Sequence, residues 1–284
     1  MAILIDGKET SRIIREEIKA EAEKLTKLGT QPGLAVIIAG EDPASKIYVR
    51  NKKKACEEVG FYSEEYALPG DVTEEELSAL IDKLNADDKI HGVLVQSPLP
   101  KHLDEKRIVA RILPCKDVDA FSEENVGKIT LGQARFLPCT PAGIMELLKR
   151  YNIETEGKSA VVIGRSNIVG KPMALLLLEG NSTVTICHSR TKNLAEYTKK
   201  ADIVVAAVGK SRLVTGDMIK DGAVVIDVGM NRDENGKLTG DVAFDECEKI
   251  ASYITPVPGG VGPMTITMLL KNTLTSAKES AKKL

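Results

Sequence analysis

The chain has 284 residues, 43% of them hydrophobic and 28% charged, with a formal net charge of −2. That length suits two domains or one large one, and the composition is that of an ordinary soluble protein with a sizeable core. The charge balance excludes a basic nucleic-acid footprint or a membrane-surface patch, and no apolar run approaches the roughly 20 residues that span a bilayer. Residues 1–14 carry charges inside the first ten positions and lack a signal-peptide layout, so a cytoplasmic location is expected. Five dispersed cysteines (Cys56, Cys115, Cys139, Cys187, Cys247) without C-x-x-C spacing fit reduced thiols. The histidines His91, His102 and His188 share no metal-ligand spacing with them, and no metal site is predicted.

In chain order, a polar helix is predicted over 9–28, a buried strand over 33–40 (GLAVIIAG), a helix over 43–59 and a strand over 62–68. A helix with acidic residues in its first turn follows at 72–85, where the helix dipole favours them, and then a buried strand, HGVLVQ, at 91–96. Residues 114–140 read as a less regular passage between domains. A helix over 141–151 leads to strands at 161–163, 184–187, 202–208 and 223–228. PVPGGVGPMT (256–265) and an amphipathic helix to about 283 complete the pattern. Strands alternating with helices imply βαβ units and parallel sheets, here two α/β lobes.

The second lobe contains the strongest local signal, SAVVIGRSNIVGKP (159–172) followed by TVTICHSRT (183–191). A β-branched strand ends on Gly164 and a helix opens near Val169 and Gly170. Such a turn presents free backbone N–H groups and a helix dipole to a pyrophosphate. Gly164 and Gly170 are six apart, and Ser166 stands where G-x-G-x-x-G has its middle glycine. At the end of the next strand, NAD-binding folds usually carry a carboxylate for the ribose 2′-OH. Here His188, Ser189 and Arg190 occupy that place, with Arg165 in the turn itself. Two guanidinium groups and a hydroxyl suit a 2′-phosphate, which predicts NADP over NAD.

In the first lobe, a 3.6-residue period places Ser45, Tyr48, Lys52, Ala55, Cys56 and Val59 on one stripe of the helix at 43–59. Arg50, Lys53 and Lys54 fall elsewhere and read as a solvated face. A lysine held inward one turn from a phenol either snorkels past the core or lines a cleft. In a cleft, burial and neighbouring positive charge would favour its neutral form, which can move a proton near pH 7. Gln96 ends a buried strand at the edge where open α/β sheets bind ligands, and its amide can both donate and accept. Asp117 and Asp119 flank Val118 in a loop; either is a turn residue or a carboxylate that accepts N–H groups from an amino-pyrimidine edge. Pro256, Pro258 and Pro263 interleaved with Gly259, Gly260 and Gly262 make a stiff wall of bare backbone.

Together these segments resemble the bifunctional methylenetetrahydrofolate dehydrogenase/methenyltetrahydrofolate cyclohydrolase family from end to end. The resemblance is carried by PASKIYVRNKKKAC (43–56), VLVQSPLP (93–100), KDVDAF (116–121), PCTPAG (138–143), VVIGRSNIVGKPM (161–173), VIDVGMN (225–231), GDV (240–242) and ITPVPGGVGPMT (254–265). It implies two α/β domains with a cleft between them: a catalytic, folate-binding domain over 1–139, a Rossmann-like NADP-binding domain over 140–265, and a C-terminal helix, 266–284, that returns to the first. It implies tetrahydrofolate one-carbon substrates, a homodimer, and no nucleic-acid or membrane partner. By the same resemblance Tyr48 would stack on the folate ring, Lys52 would activate water, Gln96 would position Lys52, and Asp119 would hold the pterin edge. Gly164, Arg165, Ser166, Ser189 and Arg190 would bind the cofactor, with the backbone at Met230 near the nicotinamide and Pro258, Gly259 and Gly260 bordering the folate. The chain departs from the family at Ala120, where glycine is usual; if that position requires positive φ, alanine is strained there by about 1 kcal/mol or more. The competing readings are a dehydrogenase without the hydrolase, a shikimate-type dehydrogenase, and a non-catalytic nucleotide-sensing module.

Overall fold

Runs of β-branched residues bounded by glycine alternate with amphipathic helices along most of the chain, and the computed structural model turns that alternation into two parallel sheets. It describes residues 1–234 and 236–282; positions 283 and 284, the end of the last predicted helix, lie outside the described residues. The first half comprises β1 (Ile3–Leu4), α1 (Gly7–Lys27), β2 (Gly33–Ala39), α2 (Pro43–Glu58), β3 (Tyr62–Leu68), α3 (Glu74–Ala86), β4 (Gly92–Val95), α4 (Glu105–Arg111) and α5 (Glu123–Thr130). The second comprises α6 (Cys139–Arg150), β5 (Ser159–Ile163), α7 (Gly170–Glu179), β6 (Thr183–Cys187), α8 (Leu194–Thr198), β7 (Ile203–Ala206) and β8 (Val224–Asp227). It continues with β9 (Asn231–Arg232), β10 (Leu238–Thr239), α9 (Phe244–Cys247), β11 (Tyr253–Ile254) and α10 (Val261–Ala281).

Two compact units share the chain: residues 1–12 with 138–265, and residues 13–137 with the chain from Ile266 onward. The expected first domain, 1–139, therefore loses its N-terminal residues to the other unit. The cause is strand pairing, since β1 runs parallel to β11 with Ile3 opposite Tyr253 and Leu4 opposite Ile254. Both strands are two residues long, too short to show any period in the sequence.

The unit holding 13–137 is built on a three-stranded parallel sheet in the order β3-β2-β4. Every residue of the central strand β2 is buried, as expected of a strand covered on both faces. Helix α3 starts at a capping box in which Thr73 Oγ1 accepts the Glu76 N–H at 3.2 Å and Glu76 Oε2 accepts the Thr73 N–H at 2.9 Å. It buries Leu77, Ile81 and Leu84 against Ala35, Ile37 and Val93, at roughly 1.5–3 kcal/mol for each large side chain.

The other unit has a six-stranded parallel sheet in the order β1-β11-β8-β7-β5-β6. Its core packs Val161, Ile163, Val204, Val225 and Ile254 with Val214 and Val242. Strand β5 pairs with β6 on one side and β7 on the other, so successive connections leave it in opposite directions. A parallel sheet opens a ligand crevice at that reversal, beyond the carboxyl ends of the strands.

Among the described residues no helix is long and apolar enough to cross a membrane, and no cluster of His, Cys, Asp and Glu could hold a metal ion. All five cysteines are free thiols; burial pushes those of Cys56 and Cys247 up to about 12.

Candidate active site

Helix α2 begins at Asp42, whose side chain accepts the Ser45 N–H at 2.7 Å, with Pro43 in the first turn. The stripe read from its period is present: Ser45, Ala55, Cys56 and Val59 are buried, Lys52 is half-buried, and Tyr48 is 38% exposed. Arg50, Lys53 and Lys54 are exposed. Lys52 Nζ donates to Gln96 Oε1 at 2.9 Å. Gln96 stands one residue beyond β4; its backbone N–H is held by the Ile37 carbonyl at 2.8 Å, and its Nε2 donates to the Ser97 carbonyl at 2.7 Å. The amide is thereby oriented with its oxygen toward the lysine. A neutral acceptor in that place orients the amine without the charge that would lock it as an ammonium.

The two loop aspartates have separate places. Asp117 is buried and accepts N–H groups from Ser122 at 2.8 Å, Phe121 at 3.3 Å and the Asn125 amide at 2.9 Å. Asp119 is half-buried. The carbonyl of intervening Val118 accepts Asn272 Nδ2 of α10 at 2.8 Å, and Asn272 also donates to the Leu137 carbonyl at 2.9 Å. Ala120 has φ 59° and is fully buried, so the strain considered for it is present. Gly92 on β4 leaves room for the loop, because a Cβ there would come within 2.9 Å of the Val118 methyls.

In the six-stranded unit, Gly164 follows β5 with φ 128°, and a Cβ on it would stand 2.2 Å from the Ala207 carbonyl oxygen. Gly170 is equally confined, 2.4 Å from the Gly164 oxygen by the same construction. Arg165, Ser166, Ser189 and Arg190 are all exposed at this carboxyl edge of the sheet. The expectation of free N–H groups at the start of α7 needs correction. Ser166 Oγ accepts those of Val169 at 3.2 Å and Gly170 at 3.3 Å, and the Ser166 carbonyl accepts that of Lys171 at 3.0 Å. The serine in the middle-glycine place thus caps the helix. Met230, beyond β8, is 52% exposed. Pro258 is exposed, whereas Gly259 and Gly260 pack on the start of α1: the Gly259 carbonyl accepts the Lys8 N–H at 3.0 Å, and a Cβ on Gly7 would stand 1.8 Å from the Gly260 oxygen.

Residues 5–119 match the model of the tetrahydrofolate dehydrogenase/cyclohydrolase catalytic domain, and residues 138–281 match that of the family's NAD(P)-binding domain. The chain belongs to the tetrahydrofolate dehydrogenase/cyclohydrolase family. It is 60% identical to the bifunctional protein FolD of Acetivibrio thermocellus, over 99% of both chains. Among solved structures it is similar to the bifunctional enzyme FolD of Campylobacter jejuni, with 53% identity, a TM-score of 0.97 and coverage of 98% of this chain and 99% of that one. The Trypanosoma brucei methylenetetrahydrofolate dehydrogenase-cyclohydrolase, determined with NADP and an inhibitor, is 43% identical with a TM-score of 0.94 over 98% of both chains. Shikimate dehydrogenases share the general plan at 15% identity, a likeness of fold alone.

Within this tetrahydrofolate dehydrogenase/cyclohydrolase chain, the Gly164 turn fits a dinucleotide, since it stands at the carboxyl edge where the strand order reverses and two guanidinium groups lie exposed beside it. Three contributors escaped the sequence reading: Asp227, Asp241 and Asn272. Asp227 and Asp241 are buried side by side at the carboxyl edge of the sheet, and burial, with Asp241 adding to it, pushes the Asp227 carboxyl up to about 6 despite three backbone N–H donors. An aspartate closing a buried β-branched strand, VVID, was the available signal; its partner lies fourteen residues on and shows no period.

Proposed function

We propose that this bifunctional enzyme oxidises 5,10-methylenetetrahydrofolate to 5,10-methenyltetrahydrofolate with NADP and then hydrolyses the product to 10-formyltetrahydrofolate, with Lys52 as the hydrolytic acid–base group. The observation that carries the reading is the 2.9 Å contact from half-buried Lys52 to Gln96, on a stripe whose Ala55, Cys56 and Val59 are buried. Bound NADP supplies the hydride acceptor, and the chain's part in that step is to orient the two partners and exclude water. Gly164, Ser166 and Ser189 would hold the dinucleotide, Arg165 and Arg190 would favour a 2′-phosphate, and the Met230 backbone would lie toward the nicotinamide. Tyr48 stacks on the folate ring, Asp119 accepts N–H groups of the pterin edge, and Pro258, Gly259 and Gly260 line the folate.

In the hydrolytic step neutral Lys52, held by Gln96, takes a proton as water adds to the methenyl carbon. Lys52 returns that proton to N5 as the N5–C bond breaks, and it accepts the hydroxyl proton as the formyl C=O forms. One proton is released per turnover, as the overall reaction requires. We propose a cytoplasmic homodimer: the free thiols support the compartment and the family resemblance supports the dimer, for which light scattering should return twice the 30.7 kDa chain mass.

The test is to give wild type and Lys52→Met 5,10-methylenetetrahydrofolate with NADP or NAD, and to follow reduced cofactor, methenyl and formyl products separately. Formyl production should fall about 100-fold or more in the variant, with methenyl accumulating and reduced cofactor still forming. Wild-type hydrolysis by Lys52→Met would remove the lysine from the mechanism.

A further inference from the structure

Three successive backbone N–H groups after β7 converge on one carboxylate. Val208 and Gly209 donate to Oδ2 of Asp241 at 2.6 and 3.0 Å, and Lys210 donates to Oδ1 at 2.8 Å. Asn231, just beyond Met230, adds its Nδ2 to Oδ1 at 2.9 Å. Asp241 is wholly buried. Its own N–H donates to Asp227 Oδ1 at 2.8 Å, and Asp227 also accepts the N–H groups of Gly229 at 2.9 Å and Val242 at 3.0 Å. The fit leaves no spare room. A Cβ on Gly229 would stand 2.4 Å from Asp241, and one on Gly240 would stand 1.8 Å from Asp227.

The place of this cluster gives it meaning. The strand order reverses between β5 and β7, so the crevice for a dinucleotide has the Gly164 turn on one wall and residues 207–210 on the other. The two walls touch where Gly164 packs on the Ala207 carbonyl. Successive N–H groups folded into a concavity ordinarily collect an anion such as phosphate. Here the chain fills the concavity with its own carboxylate. The wall is therefore shaped before any dinucleotide arrives, and its amides are engaged elsewhere than on a pyrophosphate. Through Asn231 and Asp227 the same carboxylate also fixes the segment that carries Met230.

We propose that Asp241, backed by Asp227, is a positioning residue for the dinucleotide: it sets the β7 wall of the crevice and the Met230 segment as one rigid piece. The proposal rests on the dinucleotide reading given above and assigns Asp241 no contact with the reacting atoms. Asp241→Asn is isosteric but turns an NH2 group onto one pair of N–H donors, so one side of the wall must open.

The experiment uses the full chain. Calorimetric affinity for NADP in Asp241→Asn should fall at least tenfold, and amide hydrogen exchange over 207–210 should accelerate without any ligand present. Hydrolysis of added 5,10-methenyltetrahydrofolate, assigned to Lys52 and Gln96 in the other unit, should stay within twofold of wild type. Asn231→Ala, a milder change, should weaken NADP binding about threefold with the same exchange signature. Wild-type NADP affinity in a folded Asp241→Asn protein overturns the proposal, as does parallel loss of both activities and of cooperative unfolding in both variants. A wild-type protein without affinity for NADP would overturn the dinucleotide reading itself, and the proposal with it.

Discussion

Gln96 illustrates how much a single atom type decides. Its carbonyl oxygen orients Lys52 at 2.9 Å without adding charge. In Gln96→Glu a carboxylate would occupy the same place and favour the ammonium form. Hydrolysis at pH 7 should fall at least tenfold and its pH profile should move upward by about one unit, while reduced cofactor forms at a rate much closer to wild type. An unmoved profile would mean that Lys52 does not supply the base. Asp227 makes a prediction for stability. Its carboxyl, pushed by burial from 3.8 to about 6, binds a proton more tightly folded than unfolded. Its contribution is thus fully present below about pH 4 and is lost as pH rises through about 6, on the order of 3 kcal/mol in all. Urea unfolding of wild type and Asp227→Asn across that range should show the difference between them shrinking or reversing by this amount as pH rises; a constant difference would refute it. At this scale the sequence was legible where periodicity applied, as for Lys52 on its stripe. Asp117 and Asp119 were indistinguishable by type and spacing, because only the folded loop turns one inward to Ser122 and Asn125. At Ala120 the left-handed conformation costs roughly 1–2 kcal/mol, yet glycine there would give up a buried methyl and about 0.5–1 kcal/mol of chain entropy. The two choices nearly balance, which explains how alanine persists.

Among the elements, the β5–α7 turn has the least tolerance. Gly164→Ala meets both an unfavourable φ of 128° and a backbone oxygen at 2.2 Å, so the turn must move. A loss of several kcal/mol in stability and at least a tenfold loss of NADP affinity should follow, read by thermal unfolding and calorimetry. Unchanged binding in a stable variant would show that the dinucleotide lies elsewhere. Long elements were legible within a residue or two: β3 falls at Tyr62–Leu68 and α2 at Pro43–Glu58, against predictions of 62–68 and 43–59. Short ones were not. Helix α4 has seven residues and buries Ile108 alone, so no repeat can form. Helix α5, inside the stretch read as irregular, contains Gly127, but Ser122 caps it by accepting the Asn125 N–H at 3.4 Å. In both cases the caps carried more information than the hydrophobic pattern.

For the whole molecule, the division of the chain matters more than the number of elements. Residues from Ile266 onward belong with 13–137, where Asn272 holds Val118 and Leu137, Ser276 donates to the Cys115 carbonyl at 2.8 Å, and Arg135 pairs with Glu279 at 2.6 Å. A chain ending at Thr265 should therefore lose hydrolysis and the protection of the Asp119 loop, while residues 138–265 keep measurable affinity for NADP. Hydrolysis surviving that truncation would show that α10 is dispensable to the loop. The pairing of β1 with β11 has a further consequence for how the molecule comes into being. Once made, Ile3 has no partner until Tyr253 follows it, which at about 5–20 residues per second takes roughly 10–50 s. The 13–137 half waits longer still for its share of α10. Neither sheet-based unit can be finished before the segment from Tyr253 through α10 is made, so the nascent protein must keep its apolar strands from premature association until then.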